Sequence, residues 1–120
     1  MNATTVATAA AIPLIVAFLV LGVAKVAGSA SMLTRAADVG MTRKAYGRIG
    51  ALEIAGSLGV LVGLFVPALG IAAGIGLALL MLGALITHLR IRLDFVEIAP
   101  AALFAALAAI YVAATVWGLQ

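Results

Sequence analysis

Three side chains could bind a ligand or move a proton from within an otherwise apolar chain: Lys25, Glu53 and His88. Glu53 follows Arg48 by five residues, which sets it about 7–8 Å further along a helix axis. Beyond it, Ile54–Thr87 carries no Asp, Glu, Lys or Arg. A charge at membrane depth is costly and turns towards a bundle interior or a water-filled cavity. Two chemistries fit. In one, Glu53 and His88 are exchangeable groups of a proton-handling or ligand-binding site, with Lys25 beside them. In the other, Glu53 pairs with Lys25 or Arg48 and fixes helix register. Lys25 has a third use, extension of its ammonium to the head groups. Asp94 and Glu97 precede the last apolar stretch and are expected near the same cluster.

Other chemistries lack their residues. The chain has no cysteine and one histidine, so thiol redox pairs and cysteine-ligated zinc are excluded, and little remains for a metal centre. Gly70–Gly76 sits inside an apolar stretch and does not have the spacing or context of a dinucleotide-binding loop. No nucleophile–base–acid set is evident, so the chain reads as uncertain in enzymatic activity, leaning towards none. No resident cofactor is called for by the residues themselves.

The elements that position Lys25, Glu53 and His88 follow from composition. Of 120 residues, 67% are apolar and 9% charged, and the mean hydropathy is +1.35. Too few charges exist to cover a water-facing surface, so the solvent is a lipid bilayer. Three stretches lack acids and bases: Met1–Ala24, Ile54–Thr87 and Ile98–Gln120. The first lacks the basic residues that open a signal peptide and is longer than a typical h-region; it is read as a retained span. The middle one would reach about 51 Å as a single helix, past the roughly 30 Å hydrocarbon core. It must turn, and Pro67 marks where, with Val66 as the expected helix end.

The expected fold is therefore an all-α, single-domain integral membrane four-helix bundle, with spans at about residues 7–27, 48–66, 68–89 and 97–117. Pro13 and Pro100 are expected in the first turns of their helices. Between the first two spans, Ser31 can cap a short amphipathic helix with Met32, Leu33, Ala36 and Val39 on one face and Arg35 and Asp38 towards the other. Small residues should hold the spans together, because apolar burial alone does not drive association in lipid. Gly56, Gly59 and Gly63 in the second span and Gly70 and Gly74 in the third are expected to meet across the Pro67 turn.

All seven basic residues, Lys25, Arg35, Arg43, Lys44, Arg48, Arg90 and Arg92, fall on one side of this topology. Basic loops stay cytoplasmic, so both termini are expected outside. The net charge of +3 is then a topology signal facing anionic head groups, and not a nucleic-acid footprint. Trp117 is expected as an interfacial anchor on the outer side and Tyr46 on the inner.

The chain resembles the DoxX-like family of small four-span bacterial membrane proteins. The resemblance rests on Gly22-Val23-Ala24-Lys25 closing the first span, on Gly50-Ala51-Leu52-Glu53-Ile54-Ala55-Gly56, and on Leu82-Gly83-Ala84-Leu85-Ile86-Thr87-His88 closing the third. It implies a multi-pass protein of the bacterial inner membrane and a partnership in a redox or stress-related membrane complex. The family takes its name from a subunit associated with quinone-linked sulfur oxidation and terminal oxidase activity. Three functions stay open: an accessory subunit holding a quinone or lipid near Glu53 and His88, a purely structural scaffold within a larger complex, and a small proton-coupled multidrug exporter. The exporter fits least, since such transporters carry a buried acid in their first helix and this first span has none.

Overall fold

The computed structural model describes residues 2–91 and 95–120. Arg92 and Asp94, and the side chain of Glu97, lie outside it, so the expected places of Asp94 and Glu97 near the polar cluster and of Arg92 among the basic residues are not described. Five helices follow in order: α1 (Ala3–Ala27), α2 (Ala30–Asp38), α3 (Arg43–Gly63), α4 (Pro67–Arg90) and α5 (Phe95–Gly118), with no strand among the described residues. Four of them are long and apolar enough to cross a membrane. The longest dimension of the molecule is 44 Å, which matches a bilayer with its head-group layers.

Helix ends follow local chemistry and not the edges of apolar runs. Asn2 accepts from Thr5 N at 2.8 Å and starts α1 four residues before the expected span. Pro13 consequently stands well inside α1. Thr42 accepts from Ala45 N at 3.1 Å and starts α3 at Arg43, so the basic first turns of α3 extend the helix beyond its apolar part. The second span ends at Gly63 and not at Val66. Val66 instead has extended backbone (φ −125°, ψ 87°) ahead of Pro67, as the proline ring requires of its predecessor. Pro100 falls in the second turn of α5.

The expected amphipathic helix is present as α2, but Ser29 caps it, accepting from Met32 N at 3.4 Å, in place of Ser31. The reason lies one residue earlier. Gly28 adopts a left-handed conformation (φ 67°) and closes α1, with Ser29 N bonded to Ala24 O at 3.1 Å and Gly28 N to Lys25 O at 3.2 Å. This glycine-terminated motif leaves Ser29 already extended for capping the next helix. Met32 and Ala36 are buried, whereas Leu33 faces outward.

The four long helices form a square. α1 packs on α3 and α5, and α4 packs on the same two, leaving α1 and α4 on one diagonal and α3 and α5 on the other. Both termini and the Pro67 turn share one end; a Cβ at Gly118 would touch Ala3 Cβ at 3.6 Å. α2 and the ends carrying Lys25, Arg43 and Arg90 form the other, basic end. Leu14, Phe18, Val60, Leu77, Ala108 and Tyr111 fill the centre at 0–1% exposure. Large apolar side chains such as Val20, Leu52, Leu79 and Leu103 point outward, as expected where the surroundings are lipid.

Small residues bring α3 and α4 together near the turn. A Cβ at Gly56 would lie 2.5 Å from Leu77 Cδ2, and one at Gly59 would lie 2.6 Å from Ala73 Cβ; Gly63 and Gly70 face each other directly. Gly74 departs from the expected pairing. Its open side meets Val112 and the Tyr111 ring on α5, because α4 turns a different face to each of its two neighbours.

Candidate functional site: a polar cavity at the basic end

Along α3 the buried positions are Gly50, Glu53, Ser57, Val60 and Gly63, a spacing of three and four that makes one inward stripe. Glu53 is therefore turned into the bundle, with 0% exposure. Lys25 reaches it from the last turn of α1. The approach depends on two glycines that sequence reading did not assign to packing. A Cβ at Gly22 would sit 2.7 Å from Gly50 O, and one at Gly50 would sit 2.6 Å from Lys25 Cβ. With both side chains reduced to hydrogen, α1 and α3 touch backbone to backbone beside the charged pair.

Lys25 Nζ donates to Glu53 Oε1 in an ion pair. Of the two partners open to Glu53, the structure selects Lys25; Arg48 is exposed on the opposite side of α3 and lines a shallow groove with Arg43 and Lys44. The Lys25 ammonium points into the bundle and not towards head groups, and its side chain is 12% exposed. It also lies 4.9 Å from the centre of the Tyr46 ring, a cation–π distance. Tyr46, expected as an interfacial anchor on the inner side, stands at that end of the bundle and forms part of this site. Glu53 Oε2 is buried and has no hydrogen-bond partner among the described residues.

The pair borders a cavity of about 440 Å³ between the four long helices, with α2 and the residues after it lining its basic side. Lys25, Glu53 and His88 all line it, so the three residues singled out in the sequence share one site. Arg35, Tyr46 and Thr87 add polar groups. Thr87 Oγ1 is already bonded to Gly83 O at 2.9 Å. Phe18, Met81 and Phe104 supply apolar walls, with the two phenylalanine rings edge-on at 5.5 Å and 62°. Arg35, expected on the face of the amphipathic helix away from Met32 and Ala36, is exposed and also lines the cavity. Among the described residues no group of three His, Cys, Asp or Glu converges as a metal site.

Sequence reading missed Tyr111 as well. It is 1% exposed and packs against Gly63, Gly70 and Gly74. Its hydroxyl has no hydrogen-bond partner among the described residues. The signal was a lone phenol inside the last span.

A four-span helical membrane protein with an ion pair buried beside an apolar cavity is the class that fold and site define. The sequence pattern of the DoxX-like family matches residues 8–111, a segment that takes in the Lys25–Glu53 pair, the cavity and Tyr111. The chain belongs to the DoxX-like family. No curated protein and no solved structure gives a significant match.

Proposed function

We propose that this protein is a small accessory subunit of a membrane complex, linked to quinone redox chemistry, that holds a lipophilic ligand, a quinone or a lipid, in the basic-end cavity. Lys25, Glu53 and His88 are its polar contacts. The observation that carries the reading is the cavity of about 440 Å³, apolar on most of its wall and bordered by a buried ion pair. Ligand sites are of this kind: mostly apolar, of several hundred Å³, with a few polar groups that set orientation. The seven basic residues of the chain support an inner-membrane orientation with both termini outside.

Photo-crosslinking in native membranes with a quinone-based probe tests the ligand. The reading predicts labelling in the wild type that falls severalfold in the Glu53→Gln/His88→Ala variant; equal labelling overturns it. Purification in mild detergent, with mass spectrometry of co-purifying proteins, tests the accessory role.

A purely structural reading has its own support, since the Lys25–Glu53 pair ties α1 to α3. It predicts normal complex assembly and no ligand dependence in any variant that keeps the fold.

A further inference from the structure

Beside the deep end of the cavity stands a buried carboxylate oxygen with no hydrogen-bond partner among the described residues. Glu53 stands seven residues along α3 from Tyr46, about 10 Å deeper. Its Oε1 takes the Lys25 ammonium, and its Oε2 has no partner among the described residues. Among the described residues no side chain, Tyr46 and His88 included, donates to Oε2. Lys25 is engaged by Glu53 and by the Tyr46 ring. The Thr87 hydroxyl is bonded to Gly83 O. Arg35 is an exposed residue of α2, at the mouth. In an apolar interior an unpaired carboxylate oxygen is expensive. Next to it lies a space walled by Phe18, Met81 and Phe104.

We infer that the cavity selects molecules with an apolar ring or chain that carry a hydroxyl or N–H donor, which bonds Glu53 Oε2, over molecules of the same shape that carry only acceptors. Oε2 is buried, so the bond requires the carboxyl group to turn about its terminal torsion, which is broad in glutamate, with the flexible Lys25 ammonium following Oε1. For a ligand that exists as a carbonyl and hydroxyl pair, the hydroxyl form binds tighter. This inference rests on the ligand-binding reading above and adds the polarity of the ligand's head.

A matched pair tests it: 4-pentylphenol and its methyl ether, 4-pentylanisole. Binding to the full-length protein in nanodiscs is measured by equilibrium dialysis against empty nanodiscs of the same lipid, which removes partitioning into the bilayer. A hydrogen bond to a charged group makes the phenol bind roughly tenfold tighter or more. Glu53→Gln turns the acceptor into an amide that also donates, and the phenol-to-ether ratio falls to near one or inverts. Thermal unfolding of the variant checks its fold; if it does not fold, the wild-type ratio alone decides. Equal binding of both probes to the wild type overturns the inference and leaves the ligand-binding reading standing. Binding of neither probe overturns both.

Discussion

The two ends of the bundle are built from the same helices and solve opposite problems. At the Pro67 end, α3 and α4 meet through Gly63 and Gly70, and Tyr111 from α5 closes over them. The cavity there is about 120 Å³, and no charged residue lines it. At the basic end the glycines lie elsewhere, at Gly22 and Gly50, and draw α1 onto α3 while α4 and α5 stand apart from them across a cavity of about 440 Å³. Glycine thus narrows one end to a small cavity and, at the other, fixes an ion pair on the wall of a larger one. Where the small residues fall, and not how many there are, separates a closely packed end from an end with a large cavity.

The comparison breaks most visibly at the ion pair. Lys25→Met leaves the Glu53 carboxylate buried without its partner, and stability should fall by about 3–5 kcal/mol, read as a large drop in thermal unfolding temperature in detergent. The double variant Lys25→Met/Glu53→Leu removes both charges and should recover most of that loss. If the single and double variants are equally damaged, the pair is not what sets the cost.

At the closely packed end, Gly59→Leu with Gly63→Leu forces side chains into Ala73, Gly70 and Tyr111. Overpacking of this kind costs about 1–3 kcal/mol per site, or more where backbone is struck. Unchanged thermal stability would contradict the close packing. Gly83→Leu serves as the control, since a Cβ there meets nothing within 4 Å, and it should unfold near the wild-type temperature.

Smaller still is the effect expected at Tyr111. Its hydroxyl is buried without a hydrogen-bond partner among the described residues, so Tyr111→Phe should raise stability by about 1 kcal/mol. A clear loss would show that the hydroxyl is satisfied and that the closely packed end is polar in a way the packing does not reveal.

Much of this was legible before the structure. Charges are so costly in lipid that their absence marks the spans, and Pro67 had to break a stretch too long for one crossing. Glu53 was conspicuous for the same reason. What could not be read was which face of each helix turns inward. In water an inward face is apolar and an outward one polar; in lipid both are apolar, so Phe18 inside and Val20 outside look alike in the sequence. Hence Gly74 was paired with α3 when it serves α5, the Gly22–Gly50 contact was overlooked, and the approach of the Tyr46 ring to Lys25 was not foreseen. Around α2 the miss was local: Ser31 and Ser29 are equal as caps on composition, and the left-handed Gly28 decides between them.

The chain has no cysteine, which allows the contrast between the ends to be measured with single substitutions of equal size. Ala84 lines the basic-end cavity, whereas Ala108 is fully buried in the packed centre towards the other end. In detergent-solubilised protein, Ala84→Cys should react with a small thiol reagent at least tenfold faster than Ala108→Cys. Equal rates at the two positions would mean that the basic end holds no open cavity beside Lys25 and Glu53, and the ligand-binding account would fail with it.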